Sequence, residues 1–237
     1  ALFAACGGGG SSSSTTPSAI IGLALDNFTT PTKLFVANAD KQVIQTMDLT
    51  SFVVTPFAGV AGTSGSTDAT GTAAKFYEPF GIALVGTDFY IADTFNHSIR
   101  KMTSAGVVTT IVGTSGTYGS VDGTGSAARF NSPKGLTGDA TYLYVADTYN
   151  QTIRQITLSS GLVATFAGYA GAVGTTDGLG SAARFNYPFG VALDNTGNLY
   201  VTDAGNNTRI SILNAAGEED TSPVAQRIAQ LLVDDLK

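Results

Sequence analysis

The chain has 237 residues, of which 43% are hydrophobic and 13% charged, a composition that can fill a large core. Its net charge of −6 disfavours binding to the phosphate backbone of nucleic acids. The sequence has no run of eighteen or more apolar residues, so it predicts no membrane-spanning helix. A single cysteine excludes a scaffold held together by internal disulfide bonds.

The single cysteine, Cys6, lies between two small residues and a flexible tract. Ala4 and Ala5 precede it, and glycines and serines fill positions 7–14. This arrangement resembles the end of a bacterial lipoprotein signal, in which the cysteine becomes acylated. The resemblance implies a lipid anchor outside the cytoplasm, on the periplasmic face or the cell surface, with residues 1–18 as signal remnant and tether. The alternative is a free cysteine in a disordered tail.

From residue 19 onward, short apolar runs alternate with turn residues. The runs are rich in β-branched and aromatic residues and are bounded by Asp, Asn, Thr, Pro or Gly, which predicts β-strands. They occur in sets of four, and the first set covers residues 20–25, 33–38, 43–47 and 52–57. The fourth set has three runs and lacks its last one.

The sets repeat with a nearly constant period. The matching positions Asn38, Asp93, Asp147 and Asp203 are 55, 54 and 56 residues apart. A period of this size indicates a repeat architecture. Four short strands per repeat with tight links predict an all-β propeller over residues 19–217, with an incomplete last blade. The run that begins each set is expected to be innermost, because its small residues suit a crowded centre.

The repeated motifs are specific enough to suggest a family. Asp-Gly-x-Gly-x-Ala-Arg-Phe, Pro-x-Gly-x-Ala, Leu-Tyr-Val-Ala-Asp-Thr-x-Asn and Ile-Arg recur at matching spacings. This pattern resembles the NHL-repeat family of β-propellers over roughly residues 19–214, with three clear copies and one degenerate copy. The resemblance implies a propeller fold with broad loop surfaces.

A glycine-rich loop links each blade to the next. In the loop that covers residues 113–130, positions 126–130 are expected to form one helical turn, with Phe130 filling the gap between blades. Asp68, Asp122 and Asp177 occupy equivalent positions in the three loops. One aspartate per loop supplies too few oxygens for calcium, so no cofactor is predicted and calcium remains the alternative.

The polar residues that recur in every copy are interpreted as structural. A carboxylate at the end of a strand can accept hydrogen bonds from amides two residues on and fix a turn. Arginines that follow each turn are expected to pair with carboxylates or carbonyls near the edge of the blade. The predicted turn residues are Asp93, Asn96, Asp147, Asn150, Asp203 and Asn206, and the arginines are Arg100, Arg154 and Arg209.

Positions that differ between the copies are the candidates for a ligand site. Glu78 comes just before the motif proline of one copy, and Lys134 comes just after that of the next; both are predicted to lie at one mouth of the channel. Tyr187 is the counterpart of Glu78 in the last copy. His97 is the only histidine, and Gln151 and Asn207 replace it in the other copies. We predict that Glu78, Lys134, Tyr187 and His97 bind ligand; ordinary surface variation is the alternative. One histidine does not supply a His-rich zinc site or a credible catalytic triad, so no catalytic or metal-binding residue is predicted.

Residues 218–237 carry a helical pattern. Ser222 before Pro223 is a helix start, and apolar residues follow at helical spacing: Val224, Ile228, Leu231, Leu232 and Leu236. This amphipathic helix is predicted to cover the open edge of the incomplete blade; binding to a partner is the alternative.

Together these features predict a non-catalytic binding or scaffolding propeller. It would be lipid-anchored outside the cytoplasm of a bacterium and present its loops to a protein or carbohydrate partner, not to nucleic acid. Two alternatives stay open. One is a hydrolase or lyase of lactonase type with its site at the channel mouth. The other is a self-assembling cell-surface subunit, because an unclosed propeller exposes strand edges.

Overall fold

The computed structural model describes residues 20–27, 29–206 and 209–213. These residues form four antiparallel sheets, which we call blades one to four in chain order. Blade one contains β1 (Ile20–Leu25), β2 (Lys33–Asn38), β3 (Val43–Asp48) and β4 (Val54–Ala58). Blade two contains β5 (Pro79–Val85), β6 (Asp88–Asp93), β7 (Ser98–Met102) and β8 (Val108–Gly113).

Blades three and four continue the same order. The short strand β9 (Gly123–Thr124) comes from the loop after blade two and pairs with the outer edge of blade three. Blade three contains β10 (Pro133–Gly138), β11 (Tyr142–Asp147), β12 (Thr152–Thr157) and β13 (Leu162–Gly168). Blade four contains β14 (Pro188–Leu193), β15 (Leu199–Asp203) and β16 (Arg209–Leu213). In the part of the chain that the structure describes, six 3₁₀ turns lie between the strands: Gly71–Ala73, Thr94–Asn96, Gly125–Ala127, Thr148–Asn150, Gly180–Ala182 and Ala204–Asn206.

The predicted all-β fold with four strands per repeat is therefore confirmed for the first three blades. In the fourth, the residues beyond 213, including the helix predicted over 218–237, lie outside the described residues, as do residues 1–18 with Cys6. Within the described ranges, no helix is long and apolar enough to cross a membrane.

The innermost strands pack side by side, as predicted. In chain order, β1 contacts β5, β5 contacts β10 and β10 contacts β14. A glycine makes this contact possible in each case. A Cβ atom on Gly81 would lie 2.3 Å from the carbonyl oxygen of Lys134, and one on Gly135 would lie 2.3 Å from that of Phe189. The glycine of the Pro-x-Gly motif is thus required because the backbones of neighbouring blades touch there.

Between the blades lie three apolar clusters, each centred on one phenylalanine of the glycine-rich loop. Phe76, Phe130 and Phe185 are buried between blades one and two, two and three, and three and four, respectively. The prediction that Phe130 fills an inter-blade gap is confirmed. The helical turn expected over 126–130 is a shorter 3₁₀ turn, Gly125–Ala127, and the backbone is extended again at Ala128. A buried ring of this size is a large part of the apolar area at each junction.

Replacing Gly135 tests the close contact between inner strands. We expect Gly135→Ala to lower the free energy of unfolding by about 1–3 kcal/mol or more, because the added methyl group meets backbone atoms that side-chain rotation cannot move. Gly86→Asn is the control, since a Cβ there meets no atom within 4 Å and asparagine tolerates the positive φ. Equal urea midpoints for both variants would contradict the contact.

Candidate ligand-binding face

A buried ion pair lies at the centre of blades two and three. In blade three, the Nη1 atom of Arg154 lies 2.9 Å from Oδ2 of Asp147, and both side chains are fully buried. The other guanidinium nitrogen, Nη2, lies 2.6 Å from Oδ1 of Asp122 in the glycine-rich loop, and the guanidinium carbon lies 5.2 Å from the ring centroid of Phe130. Arg154 thus joins the strand, the loop and the inter-blade ring.

Blade two repeats this arrangement with Arg100. Its guanidinium contacts Asp93 at 2.6 Å and Asp68 at 2.7 Å, and it lies 5.2 Å from the ring centroid of Phe76. Arg100 also donates to the carbonyl oxygen of Lys75 at 3.0 Å. The predicted pairing of Arg100 and Arg154 with carboxylates and carbonyls is confirmed, and it occurs in the core of the blade instead of at its edge.

Each aspartate also holds the backbone that precedes the motif proline. Oδ1 of Asp93 accepts a hydrogen bond from the Tyr77 amide at 2.7 Å, and Oδ1 of Asp147 accepts one from the Asn131 amide at 2.7 Å. Oδ1 of Asp203 accepts from the Asn186 amide at 2.6 Å. The predicted bond to an amide two residues on is wrong, because the carboxylates cap no amide of the 3₁₀ turns after Asp93 and Asp147.

The three turn asparagines connect these aspartates to the loops. In blade three, Nδ2 of Asn150 donates to Asp147 at 2.7 Å and to the carbonyl oxygen of Gly119 at 2.6 Å. Asn96 makes the equivalent bonds to Asp93 and Gly65, and Asn206 makes them to Asp203 and Gly174. The structural role predicted for these residues thus has a physical basis in bonds that span more than 30 residues of chain.

The charge of these aspartates is costly. Burial raises the pKa of Asp93 and of Asp147 to about 6, although the arginine, the asparagine and the backbone amide each lower it. Both carboxylates are therefore ionised above neutral pH. Because desolvation outweighs the attraction, removal of one partner alone leaves an uncompensated buried charge, which is strongly destabilising.

In blade one, a neutral pair of side chains replaces the buried ion pair. Asn38 takes the place of the aspartate and Gln45 that of the arginine, since Gln45 lies opposite Val36 as Arg154 lies opposite Val145. Nδ2 of Asn38 donates to Oε1 of Gln45 at 2.9 Å. A neutral hydrogen-bonded pair therefore fits this position.

In blade four, Arg209 does not occupy the strand position of Arg100 and Arg154, and its pairing with a carboxylate or carbonyl stays a prediction. Arg209 lies opposite Asp203, the place that Thr152 takes opposite Asp147 in blade three. The position of the buried arginine, opposite Val201, is Ser211. The spacing already differs in the sequence, since Arg209 follows Asp203 by six residues, whereas Arg100 and Arg154 follow their aspartates by seven.

The aspartate bonds fix one end of blades two, three and four. Pro79, Pro133 and Pro188 lie opposite Asp93, Asp147 and Asp203, so the beginnings of the inner strands meet the ends of their neighbours. We call this end the rim. It comprises residues 77–80, 131–134 and 186–189 with the 3₁₀ turns at 94–96, 148–150 and 204–206.

Hydrogen bonds join the rim from one blade to the next. Oγ1 of Thr94 donates to the carbonyl oxygen of Pro133 at 2.8 Å, and Oγ1 of Thr148 donates to that of Pro188 at 2.8 Å. The amide of Ser132 donates to Nδ1 of His97 at 3.1 Å. His97 was predicted to bind ligand, but the structure assigns its Nδ1 atom to the junction between blades two and three.

Glutamines accept the equivalent bond at the other junctions. The Glu78 amide donates to Oε1 of Gln42 at 2.6 Å, and the Tyr187 amide donates to Oε1 of Gln151 at 3.0 Å. The donors Glu78, Ser132 and Tyr187 all have positive φ, between 49° and 54°. The inter-blade bond thus fixes a backbone conformation that non-glycine residues rarely adopt.

The side chains after the motif prolines converge at the inner end of the rim. Nζ of Lys134 lies 4.6 Å from the ring centroid of Phe189, 5.0 Å from that of Phe80 and 6.0 Å from that of Tyr149. Phe80 and Phe189 meet edge to face at 5.0 Å. We call these three rings around Lys134 the aromatic cage. Cation–π attraction stabilises an ammonium group in such surroundings.

Electrostatics distinguish the cage from the rest of the rim. Burial lowers the pKa of Lys134, and the nearby Glu78 carboxylate partly opposes this shift. Burial also raises the pKa of Glu78, as does the charge of Asp40. Glu78 and Lys134, which the sequence placed at one mouth, are therefore close enough to influence each other.

Exposed aromatic pairs flank the cage. Tyr149 and Tyr187 are 48% and 42% exposed, with ring centroids 5.4 Å apart in an edge-to-face arrangement. Tyr77 and Phe95 form a second pair with centroids 5.2 Å apart. Sequence reasoning selected Tyr187 but missed Tyr149, Tyr77 and Phe95. The available signal was the aromatic residue at the variable position of Asp-Thr-x-Asn, where a turn cannot bury it.

The remaining candidate positions carry less chemistry. The described residues contain no group of three or more His, Cys, Asp or Glu side chains placed to hold a metal ion. Asp68 accepts hydrogen bonds from Arg100 and Thr110, and Asp122 accepts them from Arg154 and Thr165. Calcium binding by these loops stays an untested alternative. A groove of about 540 Å³ lined by Tyr142, Tyr144 and Phe166 lies away from the rim and gathers none of the predicted residues.

The repeat can now be identified. Residues 185–213 match the NHL repeat. NHL repeat-containing protein 2 from Gallus gallus is 31% identical over 180 residues, which cover 70% of this chain and 25% of that protein. The chain thus spans about a quarter of the length of this curated relative.

Solved structures agree with the fold. A crystal structure described as an auxiliary nutrient binding protein from Bacteroides ovatus has a TM-score of 0.62 at 24% identity, covering 80% of this chain and 46% of that one. A protein described in the same words from Bacteroides thetaiotaomicron has a TM-score of 0.63 at 21% identity, covering 81% and 47%. The predicted NHL-type β-propeller fold is confirmed.

A double-mutant cycle tests the buried ion pair. We expect Arg154→Gln to lower the free energy of unfolding by about 3–5 kcal/mol and Asp147→Asn by about 2–4 kcal/mol, since each leaves a buried charge with a partner missing. The double variant copies Asn38–Gln45 of blade one. It should therefore lose at least about 1 kcal/mol less than the sum of the single losses.

Urea unfolding measures these free energies. Lys101→Gln is the matched control, because it breaks the surface pair with Asp88 on the neighbouring strands and should change stability by less than about 1 kcal/mol. Strict additivity in the cycle would show that the pair is not coupled.

His97 gives one blade junction a pH dependence. Burial lowers the pKa of His97, and a protonated Nδ1 atom cannot accept the Ser132 bond. The unfolded chain therefore takes up the proton of His97 first, and the contribution of His97 to stability falls as pH drops from about 6.5 toward the lower folded pKa. Asp93 and Asp147, whose pKa values are raised, contribute in the opposite sense, so the comparison is made between two chains that both keep these aspartates. His97→Gln copies Gln42 and Gln151, so it should match the wild type at pH 8 and gain about 1 kcal/mol over it in acid. Thermal melts that run parallel from pH 8 to pH 5 would refute this role.

Proposed function

We propose that the protein is a non-catalytic binding or scaffolding propeller that presents the rim to a protein or carbohydrate partner. The observation that carries this proposal is the concentration of aromatic side chains at one end of the blades. Large side chains left partly exposed and close together are typical of ligand-binding and partner-binding surfaces. Here the aromatic cage and the pairs Tyr149–Tyr187 and Tyr77–Phe95 form such a surface.

The way the rim is held supports binding by a preformed surface. Buried aspartates fix the amides of Tyr77 and Asn131, and inter-blade bonds fix those of Glu78 and Ser132. A surface ordered before the ligand arrives loses little conformational entropy on binding. The description of two proteins of similar fold as nutrient-binding proteins also supports a binding role. The lactonase-like and self-assembling alternatives gain no comparable observation.

Removal of two rim rings tests the binding face. A ligand found on a glycan array or a displayed-peptide library should bind the double variant Tyr149→Ala, Tyr187→Ala at least about tenfold more weakly, by surface plasmon resonance. Phe52→Ala is the control: it removes an exposed ring from the β3–β4 hairpin, at the opposite end of blade one. Ligands that bind the double variant normally, or turnover of a lactone at the rim, would contradict the proposal.

We also propose that a lipid on Cys6 anchors the protein outside the cytoplasm of a bacterium. The support is the sequence alone: two alanines before Cys6 and a Gly/Ser tract after it. Several acyl chains bind a membrane firmly, since each buried CH₂ group contributes about 0.8 kcal/mol.

Cell fractionation tests the anchor. Expressed behind a complete lipoprotein signal peptide, the wild-type chain should sediment with membranes and Cys6→Ala should become soluble. Ser11→Ala, a substitution in the tract that follows Cys6, is the control. Membrane retention of Cys6→Ala would contradict the proposal.

A further inference from the structure

The N–H donors of the Lys134 ammonium group have no acceptor among the described residues. Within the described residues it makes no hydrogen bond or ion pair, and its close neighbours are the rings of Phe80, Phe189 and Tyr149. Cation–π contacts stabilise the charge, but they do not occupy the three N–H donors. A half-buried cation with unused donors favours an acceptor group from outside the chain.

The neighbouring charges restrict the acceptor. Glu78 lies close enough to Lys134 to affect its pKa, and Asp40 in turn acts on Glu78. The whole chain carries a net charge of −6. A doubly charged phosphate would meet one cation and at least two carboxylates, whereas a carboxylate would bring a single negative charge to the ammonium. Among anionic acceptors for the ammonium, the site therefore favours a monoanion over a dianion.

The adjacent rings indicate what carries that carboxylate. Tyr149 belongs to the cage and also pairs edge to face with the exposed Tyr187, so a ring surface begins within 6.0 Å of the ammonium. The C–H face of a sugar ring packs on an aromatic face, while its hydroxyls stay hydrated or bond to the tyrosine hydroxyls. A pyranose next to a carboxylate fits both contacts.

We infer that the rim binds an acidic saccharide, with the carboxylate of a uronic acid on Lys134 and the sugar ring on Tyr149 and Tyr187. This inference rests on the proposed function and names its ligand class. In this inference, Lys134 selects the charged ligand and the two tyrosines bind the sugar ring. Neutral saccharides should then bind through the tyrosines alone and more weakly.

Trimers of galacturonate, glucuronate and mannuronate, each compared with its methyl ester, test the inference by isothermal titration calorimetry. At least one acidic trimer should bind, its ester should bind at least tenfold more weakly, and added salt should weaken the acid alone. The ester comparison uses the wild-type chain and needs no variant. Lys134→Gln should weaken the acid at least tenfold and leave the ester unchanged, with Lys134→Arg retaining part of the affinity. Lys101→Gln, which removes a lysine far from the cage, is the control.

Three results would overturn the inference: no acidic trimer binds, acid and ester bind equally, or Lys134→Gln binds the acid as the wild type does. Failure of the wider proposal has a different signature. If a protein or a neutral glycan loses affinity in the variant Tyr149→Ala, Tyr187→Ala while no uronate binds, the rim is a binding face and only its ligand class is wrong.

Discussion

The rest of the structure depends on one buried carboxylate in each of blades two to four. Asp147 shows how much a single group can organise: it pairs with Arg154, accepts from Asn150 and fixes the amide of Asn131 on the rim. Through Arg154 it reaches the glycine-rich loop and the inter-blade ring of Phe130. Burial of this charge is costly, and the hydrogen bonds and ion pairs around it offset only part of that cost. The core network and the presented surface are therefore the same set of bonds.

The packing of neighbouring blades imposes a second constraint on the same region. Inner strands touch at Gly81 and Gly135, immediately after the rim residues Phe80 and Lys134. Close contact of the backbones brings these side chains and Phe189 together at the inner end of the rim. The glycine is the same in every copy of the motif because it sets the distance between blades. The residues before it differ between copies, and at this distance their side chains form the cage.

Much of the fold could be predicted because its determinants recur. The period near 55 residues and the strand-length runs predicted the blades and their inner strands. The recurring loop motif predicted the position of Phe130 between blades. Pairwise geometry was harder. Three features depend on register or on the next blade, which spacing within one repeat does not encode. They are the hydrogen bond from the Asn131 amide to Asp147, the place of Ser211 opposite Val201 and the contact of the Ser132 amide with His97. At the site, departure from symmetry identified Glu78, Lys134 and Tyr187, but the convergence of Phe80 and Phe189 on Lys134 required the distance between blades.

Amide hydrogen exchange in Asp147→Ala, which removes the acceptor altogether, tests most directly whether the buried network positions the rim when it is measured residue by residue. The account predicts faster exchange at Asn131, whose amide donates to the lost carboxylate, while the equivalent Tyr77 amide on Asp93 stays protected as an internal reference. An Asn131 amide that remains as protected as that of Tyr77, in a variant that is measurably less stable, would separate the core from the rim and contradict the account.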